Sequence, residues 1–186
     1  NMESYGILDT MGLTSRIVLD ANIYTMNNRA EAFWMKKGIL GDTVPLELNA
    51  KELVHRNNKN SELTVYGYTP MMVSVQCVQK TMDHCNHACV QYVLKDRYQK
   101  EFRGVCSCEF CYNTIYNTLP TSLLKEKEKA EKLGVKAYRL SFTIETQQET
   151  EKIVRAFVDV YLRGQKPDGQ MQTEETTKGH FQRGVE

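Results

Sequence analysis

Apolar and polar positions along the chain follow two periods, and the switches between them mark out the elements. Tyr5, Leu8 and Met11 recur at helical spacing and stop at Gly12, which predicts a short opening helix. In RIVLDANI the unbroken triplet Ile17-Val18-Leu19 gives way to Asp20 and Asn22, the pattern of a buried parallel strand that turns polar where it emerges. Asn27 or Asn28 is placed to cap the next helix, NNRAEAFWMKKG. Its Ala30, Phe33 and Trp34 form the expected inward stripe, and Lys36 and Lys37 suit the negative helix end before Gly38. TVPLELN predicts a second strand ending at Glu47 and Asn49, and Asn49 with Glu52 predicts a capping box for AKELVHRN. ELTVYGY predicts a third strand, with Leu63, Val65 and Gly67 on one face and Thr64, Tyr66 and Tyr68 on the other.

Beyond a cysteine-rich stretch the pattern resumes. TSLLKEKEKAEKLG predicts a helix capped by Thr121 or Ser122 and stopped at Gly134. AYRLSFTIE predicts a fourth strand, with Tyr138, Leu140, Phe142 and Ile144 alternating with Arg139, Ser141, Thr143 and Glu145. Thr146 caps a long last helix with Ile153, Val154, Phe157 and Tyr161 on one stripe. Four strand–helix units in succession imply an α/β fold of parallel β/α repeats. Residues 165–186 are polar, lack apolar periodicity and read as a disordered tail or as a linker to a following domain, after a domain over 1–164.

Composition narrows the function. The 186 residues are 41% hydrophobic and 25% charged, enough for one ordinary core. A formal charge of +1 provides no broad field for a polyanion, and EKEKAEK mixes signs as a solvated helix face does, with Glu128 and Lys132 in register. There is no apolar run of membrane-spanning length and no signal-peptide pattern, so the expected setting is a reducing cytoplasm without membrane contact. Asn1 is not an initiator residue, and the chain reads as an excised segment.

All six cysteines fall between Cys77 and Cys111, which marks a cysteine-rich insertion over 77–111. Clustering of this kind suits a metal better than the dispersed disulfides of a small secreted domain. Cys108 and Cys111 form a Cys-x2-Cys loop; with Cys77 and Cys85 they complete four thiolates suited to tetrahedral zinc or an iron–sulfur cluster. Cys89 and Cys106 are then spare, and His84 and His87 offer nitrogen alternatives. The competing reading is six unrelated cysteines, some of them simply buried as small apolar residues.

The blocks LDANIYTMNNRAEAFW, VPLELNAKEL, VYGYTPMMVSVQC, LKDRYQKEF, CEFCYNTIYNTLPTSLL, YRLSFTIE and TTKGHFQRGVE together resemble the C-terminal half of the core domain of the collagenase-like peptidases, family 32 among peptidases of unknown catalytic type. The resemblance implies half of a TIM-like (β/α) barrel and, in some members, a cysteine-ligated iron–sulfur cluster used in hydroxylation of RNA bases or of a small molecule. In shorter members one ligand precedes the VSxxxC block and another precedes a leucine pair; this chain has Pro70 and Ser122 there, and Cys108 and Cys111 are the cysteines expected to replace the missing sulfurs.

The expected activity is therefore hydroxylation with a [4Fe–4S] cluster, zinc being the alternative metal. The competing expectations are a protease acting on peptides and a zinc-bearing structural scaffold. Neither G-x-S-x-G nor H-E-x-x-H occurs. The strand ends Asp20, Asn22, Glu47, Asn49, Tyr66 and Arg139 are the candidate substrate contacts above a barrel. Each reads equally as part of a buried polar network, such as a Glu47–Arg139 pair on the inside of the sheet. Half a barrel leaves two open edges, so the expected partners are the rest of the parent chain, an RNA or peptide substrate, and a second copy in a homodimer.

Overall fold

Helix caps and β-branched runs place the elements largely where the pattern puts them. The computed structural model describes residues 1–82, 85–166 and 175–185. In chain order the elements are α1 (Met2–Thr10), β1 (Val18–Leu19), α2 (Asn28–Lys36), β2 (Gly41–Thr43), α3 (Ala50–Leu53), β3 (Ser61–Gly67), β4 (Pro70–Ser74), α4 (Val78–Thr81), β5 (Gln91–Lys95), β6 (Glu101–Ser107), β7 (Tyr112–Tyr116), β8 (Thr121–Ser122), α5 (Lys127–Glu131), β9 (Ala137–Ser141) and α6 (Gln147–Phe157), which runs into a π turn over Val158–Leu162.

Strands β1, β2, β3 and β9 pair in parallel in that order, so the chain is a mixed α/β protein built on a parallel sheet. Asn27 caps α2, and Asn49 with Glu52 and Thr146 with Glu149 form capping boxes on α3 and α6. One face of β3 packs Leu63 and Val65 against α3, α5 and α6. Leu53, Val65 and Leu123, each no more than 1% exposed, contribute roughly 1.5–3 kcal/mol apiece by burial. A second cluster joins Ile17 and Leu19 to Trp34 and Ile39.

Four expectations need correction. The second strand is Gly41–Thr43 and shares only Thr43 with TVPLELN: at Gly41 a Cβ would lie 2.2 Å from the Asn60 carbonyl oxygen, so only glycine permits that approach, and Pro45 has no N–H with which to extend the ladder. Thr121 and Ser122 do not cap a helix; they form β8, antiparallel to the end of β3, and α5 starts only at Lys127. Phe33 is 55% exposed, so the inward stripe of α2 rests on Trp34. Of RIVLDANI, only Val18 and Leu19 are extended in the sheet.

The stretch read as a cysteine-rich loop contains regular structure. Strands β4, β7, β6 and β5 form a separate antiparallel sheet in that order, with α4 between β4 and β5. The polar tail also makes ordered contacts: Thr177 bridges to Thr121, Phe181 enters the main core at 6% exposure, and Lys178 pairs with Glu126. Residues 167–174 and 186 of that tail lie outside the described residues.

Under the parallel sheet lies a buried ion pair. Arg56, 6% exposed, meets Asp42, 1% exposed, and donates to Thr25 O (2.8 Å), Asn58 Oδ1 (2.9 Å) and Ser61 Oγ (2.9 Å); Ser61 Oγ donates to Asp42 Oδ1 at 2.6 Å. Removing one partner of such a pair strands the other in low dielectric. Arg56→Leu is expected to lower unfolding stability by about 3–5 kcal/mol, measured by chemical denaturation; a loss below about 1 kcal/mol would show that Asp42 finds solvent.

Glu126 is held below the ordinary carboxylate range: burial opposes ionisation, but hydrogen bonds from Lys129 and Lys178 outweigh it. A depressed folded value means that this stabilisation is present above the unfolded value and is lost as pH falls through the folded one. Amides around Phe181 are therefore expected to lose hydrogen-exchange protection on acidification below the carboxylate range, and Glu126→Gln should abolish that pH dependence.

Candidate functional site

The thiols gather where the antiparallel sheet meets α4. Cys77 precedes α4 and Cys106 lies in β6; their sulfurs are 3.6 Å apart, and Cys106 Sγ lies 3.4 Å from Cys108 Sγ. Cys108 follows the last residue of β6, at the start of the turn into β7, and so stays beside Cys106. Of the four predicted ligands, Cys77 and Cys108 thus both touch Cys106, which sequence reasoning set aside as spare. Cys111 sits in the β6–β7 turn with its sulfur 3.7 Å from the Cys108 carbonyl oxygen, and Cys85 is exposed, as are Cys89 and Cys111. All six cysteines are free. Among the described residues no group of three or more His, Cys, Asp or Glu side chains is arranged to hold a metal ion, and His84 lies outside them.

The two inner thiols differ electrostatically. Burial, reinforced by the sulfurs of Cys108 and Cys77, pushes the Cys106 thiol up to about 12. Cys77 is lowered, chiefly by the Lys80 backbone N–H at the start of α4, against burial.

The predicted substrate contacts separate into three groups. Arg139 of β9 reaches Glu62 of β3 (2.7 Å) and Asp20 after β1 (3.2 Å), Thr43 donates to Glu62 at 2.7 Å, and Asn22 donates to Asp20 at 2.8 Å. This polar ladder crosses the sheet on the face opposite Leu63 and Val65, and its carboxylates are Glu62 and Asp20 rather than Glu47. Asn49 is committed to the α3 cap, accepting from Lys51 N and Glu52 N. Glu47 is half-buried, and its Oε2 has no hydrogen-bond partner among the described residues.

Tyr66 lines a cleft of about 450 Å³ at the C-terminal end of β3, closed by Ser122 of β8, Arg103 of β6, and Glu145 and Glu149 at the start of α6. Strand C-termini are where α/β folds place ligands. Burial first, and then the Glu145 carboxylate, raise the Tyr66 hydroxyl so that it stays protonated. Glu145 Oε2 accepts from Thr143 N (2.7 Å) and Ile144 N (3.0 Å), while its buried Oε1 has no partner among the described residues. Glu149 is lowered by the Thr146 backbone N–H and hydroxyl, with Arg103 adding to them across the gap between the two sheets. Sequence reasoning missed Arg103, Glu145 and Glu149, because only the folding of β6 against α6 brings them together.

Comparison with protein-family models, with curated proteins and with solved structures yields no match. No helix among the described residues is long and apolar enough to cross a membrane.

Exposure sets an order of reactivity. In metal-free protein, iodoacetamide is expected to alkylate Cys85, Cys89 and Cys111 first and Cys106 only on unfolding. Peptide mass spectrometry over time checks this order; modification of Cys106 as fast as Cys89 would contradict the placement of β6.

Proposed function

We propose that the chain is part of a collagenase-like peptidase-family protein whose cysteine-bearing module holds a [4Fe–4S] cluster and whose cleft at the strand ends binds an RNA or small-molecule substrate for hydroxylation. The observation that supports this most is the run of three sulfurs in contact, Cys77–Cys106–Cys108, in a module whose β6 also contributes Arg103 to the cleft beyond β3. The donor set is all thiol, the ligation of a [4Fe–4S] cluster held by four cysteines. Cys77, Cys85, Cys108 and Cys111 are the proposed ligands; Cys106, a buried thiol, lies between Cys77 and Cys108. When bound, such a cluster supplies one-electron chemistry. The chain's own residues bind and orient: Arg103 and the Tyr66 hydroxyl offer donors, Glu145 Oε1 an acceptor, and the Arg139 ladder stiffens the inner face of the sheet.

A zinc-bearing scaffold is the second reading, favoured by one measurement. The 3.4 and 3.6 Å contacts of Cys106 with Cys108 and Cys77 are near the roughly 3.8 Å edge of a tetrahedron of thiolates around zinc, and in this reading Cys106 replaces one of the four ligands. Proteolysis has less support, since among the described residues no histidine lines the cleft to serve as base for Ser122. The parallel strands are proposed as half of a TIM-like barrel; β1 and β9 each pair on one edge only among the described residues, which suits pairing with the rest of the parent chain or with a second copy.

Anaerobic purification followed by iron, sulfide and zinc analysis tests the proposal. Iron with matching sulfide is expected, abolished in Cys111→Ser and retained in Cys89→Ser. Stoichiometric zinc would move the assignment to the scaffold, and equal loss in both variants would show a different ligand set.

A further inference from the structure

The antiparallel sheet has a second chemical feature, on the face that α4 covers. Strand pairing sets Tyr92, Gly104, Ile115 and Met72 in one row across β5, β6, β7 and β4, and Asn113 lies in the next row beside Cys106. Alternation puts these residues on the same face. Gly104 has no side chain, so the Tyr92 ring lies across it; a Cβ there would sit 2.3 Å from the ring. With Val78 and Met82 on the other side, the row lines a solvent-open pocket of about 260 Å³.

Two polar atoms of this lining are buried without a partner among the described residues. One is Oδ1 of Asn113, a residue only 1% exposed; the other is the Tyr92 hydroxyl. The Asn113 amide is oriented by its Nδ2, which donates to the Gln76 carbonyl at 3.0 Å and leaves Oδ1 as an unused acceptor. Buried polar groups are rarely left unpaired, because each forfeits its hydration. Among the described residues no charged side chain lines the pocket, so an ion would find no counter-charge from them.

We propose that this cavity binds a compact, uncharged molecule with an apolar body and an amide edge, a lactam or carboxamide. Its N–H donates to Asn113 Oδ1, its carbonyl accepts from the Tyr92 hydroxyl, and its body packs on Met72 and Ile115. A dry cavity of about 150 Å³ holds benzene, so a six-membered lactam fits the larger space here. The site needs no metal and stands whether or not the nearby thiols bind one.

The probe is 2-piperidone, titrated into the full chain labelled with nitrogen-15, with cyclohexanone as the partner that keeps the carbonyl and lacks the N–H. Saturable shifts of the Gly104 amide and the Asn113 side-chain amide are expected, with cyclohexanone binding roughly tenfold more weakly for one lost buried hydrogen bond. Tyr92→Phe keeps the ring over Gly104 and removes only the donor; it is expected to weaken both probes similarly and to preserve their ratio. Equal affinity for the two probes, or no effect of Tyr92→Phe, would overturn the amide assignment and leave an apolar hollow. Absence of saturable shifts, or shifts confined to residues away from the cavity, would overturn the site itself.

Discussion

The register of β2 against β3 depends on one desolvated guanidinium. Asp42 and Ser61 are ladder partners, and Arg56 joins both through hydrogen bonds that leave neither exposed. Side chains alternate with period two, so slipping β3 by one residue would turn Leu63 and Val65 away from the helices and bury Glu62. β3 accepts β9 along one edge and divides the other between β2 and β8, and the chain then passes through Tyr68 and Thr69 into β4 of the second sheet. The cleft beyond Tyr66 exists because β8 and the second sheet both meet β3 at that end.

Much of this is written in local signals. The Asn27, Asn49 and Thr146 caps, the stops at Gly12 and Gly134 and the strands β3 and β9 all rest on short-range chemistry, and all are found. Errors came where a long-range contact decides. Gly41 starts a strand because Asn60 passes close to it, and Thr121–Ser122 is extended because β3 offers free backbone groups there. Tyr92 and Leu94, Phe102 and Cys106, and Asn113 and Ile115 alternate with more exposed neighbours in the sequence, a period-two pattern that marks β5, β6 and β7.

The candidate site was legible to a similar degree. Clustering of thiols identified the module but not the partners within it, because adjacency of Cys77 and Cys106 depends on how β4, β7 and β6 stack side by side. Arg139 lies on the face opposite Leu63 and Val65 as alternation requires, and its carboxylates are the neighbours that the sheet order supplies, Glu62 and Asp20. Asn49 illustrates the opposite case, a strand-end polar residue fully used by local capping.

The central claim is that the cysteine-bearing module is a metal–thiolate centre. X-ray absorption at the metal edge of anaerobically isolated protein tests it most directly. The account predicts a first shell of sulfur alone, at roughly 2.3 Å for zinc, with a short metal–metal vector in addition if the centre is an iron–sulfur cluster. A shell of nitrogen or oxygen donors, or no bound metal at all, would contradict it.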